Sequence, residues 1–139
     1  MVIQNPSRHE IGTILKKSKR IAVIGLSDNP TRTSYGVSKA MQNAGYDIIP
    51  VNPMIDEVLG VKAVSSLSEI EGKIDIVNIF RRSEFLPEIA ADFLATDVDV
   101  FWSQLGVMDE SVFEELTKQG RTVIMDRCIK VEHALNPIK

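Results

Sequence analysis

The chain has 139 residues, 44% of them hydrophobic, and a formal charge of −3, which suits one globular domain over residues 1–139 that can bury about two-thirds of its unfolded surface. That charge excludes a broad basic field for nucleic acid, and no apolar run is long enough to cross a membrane. Met1–Glu10 is polar and lacks the apolar core of a signal peptide, so cytoplasmic residence is expected; the lone Cys128 fits a reducing compartment and excludes an internal disulfide.

In chain order, a helix is predicted over His9–Lys17, followed by a buried strand at Arg20–Gly25 (RIAVIG). The next helix, Ser34–Ala44, carries Val37, Ala40, Met41 and Ala44 on one face and stops at Gly45. Tyr46–Val51 is the second strand. Pro53–Gly60 is the longest irregular piece near the middle, and Val61–Ala63 reads as a short extended segment. Asp75–Phe80 (DIVNIF) is the third full strand, Glu84–Leu94 a helix and Val98–Trp102 the fourth strand. A helix over Glu110–Gln119, stopped by Gly120, leads to the fifth strand, Thr122–Met125, and a short helix around Lys130–Leu135. Strands alternating with helices of this length predict βαβ units. The fold class is therefore α/β, a three-layer arrangement with a five-stranded, mainly parallel sheet and helices on both faces.

In an open parallel sheet, ligands bind beyond the carboxyl ends of the strands, where the strand order reverses. The segments to read are then Gly25–Tyr35, Asn52–Pro53, Arg81–Ser83, Ser103–Gly106 and Asp126–Cys128. In the first, Gly25 permits a sharp turn and a ligand's approach to the backbone. Thr33 or Ser34 is placed to cap the following helix, and capping is the commoner role for Ser34. The free amides of that helix favour an anion. Ser27 and Ser34 add hydroxyls, and Arg32 adds a fork suited to phosphate. The loop is long for a bare connection, so anion binding is expected of it as a whole.

The dinucleotide fingerprint G-x-G-x-x-G is absent, because Ser27 and Pro30 occupy the positions of its second and third glycines. Asn52-Pro53, read as a turn, stands where an NAD site places an acidic residue for the ribose. Both features argue against a nicotinamide cofactor. Arg81 and Arg82 adjoin at a strand end and should face different ways, with only one pointing into the cleft. Gln104 and Gly106 offer an amide and a close backbone approach, while Trp102 reads as core. His9 and His133 lie at opposite ends of the chain and, with one cysteine, give no metal-ligand spacing.

The stretches IAVIGLSDNPTRTSYGV, GYDIIPVNP, DIVNIFRRSE, FWSQLGV and VIMDRCIKVEH occur in this order from Arg20 to His133. Together they resemble the CoA-binding domain family of small stand-alone proteins, related to the nucleotide-binding domain of the succinyl-CoA synthetase alpha subunit. The resemblance implies a Rossmann-like sheet of the NAD(P)-binding superfamily, with CoA or an acyl-CoA in the crevice and no established reaction. By position it implies a pyrophosphate loop at Gly25, Ser27, Arg32, Ser34 and Tyr35. It places Asn52 and Pro53 near the adenosine end, Phe80, Arg81 and Arg82 on the next wall, and Gln104 and Gly106 beyond them.

A CoA-binding protein without catalytic activity is the expected function. One alternative is a CoA-dependent or thiol-dependent acyl transferase, with Cys128 as nucleophile, Arg127 lowering its pKa and His133 as base. The other is a nucleotide-binding subunit that docks on a larger ligase.

Overall fold

The computed structural model describes residues 3–136. The first helix, α1 (Arg8–Lys17), starts at Ser7. The Ser7 hydroxyl accepts from the Glu10 amide, and the Glu10 carboxylate accepts from the Ser7 amide, so each end of the pair satisfies one orphan donor. Next come β1 (Arg20–Ile24), α2 (Thr33–Asn43) and β2 (Asp47–Val51). The predicted irregular piece holds a small antiparallel hairpin, β3 (Glu57–Val58) against β4 (Val61–Lys62). Two-residue strands carry no readable alternation, which is why the pattern missed the first of them. The remaining elements are β5 (Ile76–Ile79), α3 (Leu86–Leu94), β6 (Val100–Ser103), α4 (Glu110–Lys118), β7 (Thr122–Ile124) and α5 (Ile129–Leu135). The helix predicted from Glu84 instead enters through a 3-10 turn at Ser83–Phe85. Pro87, in the first turn of α3, lacks the amide that an earlier start would need.

The strands form one five-stranded sheet in the order β2-β1-β5-β6-β7, and all its neighbours are parallel. Alternation along each strand divides the core into two layers. Ala22, Ile24, Val77, Ile79 and Phe101 pack with Leu86, Phe93 and Leu116 of α3 and α4. Ile21, Val23, Ile76, Val100 and Trp102 pack with Ile11, Leu15, Val37, Met41 and Ile129 of α1, α2 and α5. This is an α/β, Rossmann-like fold of three layers. Trp102 is fully buried, as its sequence context suggested, and its indole N–H donates to the Arg127 carbonyl at 2.9 Å. No helix among the described residues is long and apolar enough to cross a membrane.

Polar bonds close the amino end of the sheet. The Asp75 carboxylate accepts from the amides of Lys19 and Arg20 at 2.8 and 3.0 Å. The Arg20 guanidinium donates to Asp47 and to the carbonyls of Glu71 and Lys73. These bonds tie β1, β2 and β5 together at their starts.

Candidate functional site

The strand order reverses between β1 and β5. The chain leaves β1 towards β2 and later returns to the other side of β1, so the two exit loops diverge and leave a crevice. The cleft there has a volume of about 830 Å³, within the range of small-molecule sites.

Gly25 forms its floor with φ +86°, a left-handed conformation that glycine adopts without a Cβ penalty. A Cβ at this position would collide with the Phe80 carbonyl. The backbone that approaches Gly25 so closely is thus the exit of β5, where the sequence reading had put a ligand. Its amide still donates to the Val51 carbonyl, and Phe80 donates to Ile24, so the ladder runs to the lip of the cleft.

Beyond Gly25 the loop is held by its own polar groups. The Ser27 hydroxyl accepts from the Asn29 amide, and the Asn29 carbonyl oxygen of the side chain accepts from both the amide and the hydroxyl of Thr31. Ser34 is buried and accepts from the Ser27 amide at 3.0 Å. Neither Thr33 nor Ser34 caps α2: the cap position belongs to Arg32, and no side chain closes it. Ser34 had been expected to cap, but its hydroxyl is turned back onto the loop. The Tyr35 amide donates to the Arg32 carbonyl, so the amides of Thr33 and Ser34 are the ones left at the cleft without a side-chain cap, and they leave the positive end of the helix open to an anion. Thr31, Arg32 and Thr33 line this end, with Arg32 exposed.

The next wall comes from the exit of β5. Arg81 and Arg82 both line the cleft, where one alone had been expected to point inwards. Strand alternation has ended by then, since β5 stops at Ile79 and Arg82 occupies the cap of the 3-10 turn. Both guanidinium groups lie over the Phe85 ring, at 4.1 Å for Arg81 and 5.6 Å for Arg82, a contact that orients a cation without neutralising it. Arg82 also stands 3.8 Å from Glu84, with both side chains exposed.

The third wall is the segment after β6. Gln104 is buried, its amide donates to Asn78 Oδ1 at 2.5 Å and its Oε1 accepts from the Ile129 amide at 3.4 Å. The side chain expected to serve a ligand is thus used to brace β5, β6 and α5. Asn78 escaped the sequence reading, although a polar residue inside the apolar run DIVNIF was a signal for such a partner. Gly106 lines the cleft and donates to the Asp126 carboxylate at 2.7 Å. Cys128, half-buried, also lines it. His133 sets its ring edge-on to Tyr46, with centroids 5.7 Å apart, and does not line the cleft.

Gly25, Ser27, Arg32, Ser34, Phe80, Arg81, Arg82, Gln104 and Gly106 therefore meet around one space, as read from sequence. Tyr35, Asn52 and Pro53 do not line it. Tyr35 packs against the core layer of α1, α2 and α5. Asn52 donates to the Leu26 carbonyl and accepts from the Met54 amide, and Pro53 is exposed. Thr31, Thr33, Ser83 and Leu105 also line the cleft, within the strand-exit segments read from sequence but not singled out there, and Val107 lies one residue beyond them; the density of hydroxyls in TRTS was the available signal for the first two. Among the described residues no group of His, Cys, Asp and Glu could hold a metal ion.

The model of a family described as CoA binding domain matches residues 19–134. YneT of Bacillus subtilis (strain 168) is 67% identical over 133 residues, covering 96% of this chain and 98% of that one. The alpha subunit of the ADP-forming acetate–CoA ligase II of Pyrococcus furiosus is 39% identical over 69 residues, which is 49% of this chain but 15% of the ligase subunit. A solved structure from Thermus thermophilus superposes with a TM-score of 0.88 at 32% identity, over 94% of this chain and 99% of its own. With every residue that lines the cleft inside the matched segment, the chain belongs to the CoA-binding domain family.

Proposed function

We propose that this chain binds coenzyme A in the cleft between the β1 and β5 exits and holds it without transforming it. The observation that carries the reading is the convergence of the uncapped α2 amides, Arg32, Arg81 and Arg82 on one crevice of an acidic protein. These donors suit a pyrophosphate on the helix end and a further phosphate towards the arginine pair. The family match supports coenzyme A as the phosphate-bearing ligand, and Ser27, Pro30 and Asn52 disfavour NAD. Holding without chemistry is favoured because, among the described residues, no base lines the cleft beside Cys128, His133 being placed against Tyr46. The test is mass spectrometry of ligand released from the purified protein, followed by calorimetric titration with CoA and NAD. Released CoA and tighter CoA binding support the reading; equal or tighter NAD binding overturns it.

Thiol-dependent acyl transfer is the second reading, favoured by the position of Cys128 on the cleft lining. Cys128→Ser separates the two. A binding protein keeps its CoA affinity, and a transferase loses turnover of acyl-CoA.

A further inference from the structure

The exits cross the cleft in the order β1, β5, β6, β7, and the lining changes chemistry along that path. Hydroxyls and Arg32 come from the β1 exit and the arginine pair from the β5 exit, whereas the β6 exit contributes Leu105 and Val107. Leu105 is 72% exposed and belongs to neither core layer. A single exposed leucine on a loose loop tip would call for no explanation. This one is held on a segment fastened at nearly every residue. The Gln104 amide donates to Ile79 and the Val107 amide to Gln104. The Ser103 hydroxyl donates to the Val107 carbonyl at 2.6 Å, and the Met108 amide donates to the Ser83 hydroxyl at 3.0 Å. Asp126, which takes the Gly106 amide, adopts φ +61°, a left-handed conformation that is uncommon for a residue other than glycine. Aspartate visits this conformation more readily than most residues, and here its carboxylate fixes the Gly106 amide. The segment so fastened leaves an apolar side chain exposed at the lip of the cleft.

We infer that Leu105 and Val107 receive the acyl group of an acyl-CoA, so that the ligand class is an apolar acyl thioester in preference to free CoA. The inference rests on the CoA reading of the same cleft and adds to it which end carries specificity. With the phosphates at α2, the extended pantetheine arm leads across β5 towards β6, and the thioester's acyl chain covers Leu105 from solvent. Each methylene taken fully out of water tightens binding by roughly fourfold. At an open rim only part of that is gained, so the four methylenes between acetyl-CoA and hexanoyl-CoA should tighten binding by about tenfold in all.

The experiment is calorimetric titration of the full chain with CoA, acetyl-CoA, butyryl-CoA and hexanoyl-CoA. It is run on the natural sequence, Leu105→Ala and Leu105→Asn, with melting temperatures as a folding control. The inference expects affinity to rise along the series, and the hexanoyl-CoA to CoA affinity ratio, taken within each protein, to shrink to about threefold in Leu105→Ala and to vanish in Leu105→Asn. A flat series on the natural sequence, with CoA bound, overturns the acyl inference and leaves the CoA reading standing. A rise that survives in Leu105→Asn overturns the assignment to this residue. If neither CoA nor any thioester binds, the CoA reading falls and this inference with it.

Discussion

Replacing Gly25 with alanine separates the two reasons for a glycine at the floor of the cleft. Its φ of +86° costs any L side chain about 1–2 kcal/mol. The new Cβ would also strike the Phe80 carbonyl, with the Phe80 carbonyl carbon and Arg81 Cδ both at 3.1 Å. The clash is with backbone, so β1 and β5 must part at their exits. That movement stretches the Phe80-to-Ile24 bond, at 2.9 Å, which joins the two exits. Weakening it adds about 1 kcal/mol, for a total of about 2–3 kcal/mol. Gly120→Ala is the control. Its φ is +82°, but nothing lies within 4 Å of the added Cβ, so only the conformational cost of about 1–2 kcal/mol applies. Urea denaturation of both variants, compared at their midpoints with a common slope, reads the difference directly. Gly25→Ala should be less stable than Gly120→Ala by at least about 1 kcal/mol. Equal losses would refute the claim that the close approach of the β5 exit, and not the turn alone, requires glycine here.

Arg32→Ala should weaken CoA by roughly 1.5–3 kcal/mol, the range of a hydrogen bond to a charged group, with the melting temperature little changed because Arg32 is exposed; a collapse of stability with affinity per folded molecule intact would make it structural. In competition assays at two salt concentrations, dephospho-CoA should compete and pantetheine should compete poorly, with only a modest salt effect, since partly buried contacts are screened less than exposed ones. Pantetheine competing as well as CoA would remove the phosphate loop as the anchor. Burial pushes the Asp75 carboxyl up, but the amides of Arg20 and Lys19, with the charges of Lys73 and Arg20, outweigh it and hold the group below its ordinary 3.8. The unfolded chain therefore takes up the proton first on acidification, so this stabilisation is complete above about pH 4 to 5 and is lost as pH falls through the folded value. Asp75→Asn should be less stable at neutral pH, with a shallower loss between pH 5 and pH 2 in denaturation series; an unchanged acid limb would show that Asp75 does not contribute it.

The sequence alone determined which segments are the strands of the main sheet and which are the helices packed on it. Runs such as IAVI and DIVNIF declare burial on both faces, and apolar residues at helical spacing mark the pieces between them. Because those signals are local, element types and the identity of the strand-exit loops followed from them. Only the tertiary structure decided what meets what. The order β2-β1-β5-β6-β7 places the Arg32 loop and the Arg81–Arg82 pair on one crevice, and no period in the chain encodes that adjacency. The same holds for Ser34, whose hydroxyl has two possible partners within reach of its own loop and bonds Ser27 in preference to capping α2. Gln104 looks like a ligand donor until Asn78, 26 residues away, takes its amide. Asn52 and Pro53 follow a strand in sequence as a wall residue would, yet Asn52 is used to hold the Leu26 carbonyl. For Gln104 and Asn52 the deciding contact joins residues whose neighbourhood is created by parallel strand pairing, and for Ser34 it is set by the fold of its own loop. Pattern along the chain reports burial and period, whereas a side chain's role depends on which donor or acceptor the completed sheet brings to it.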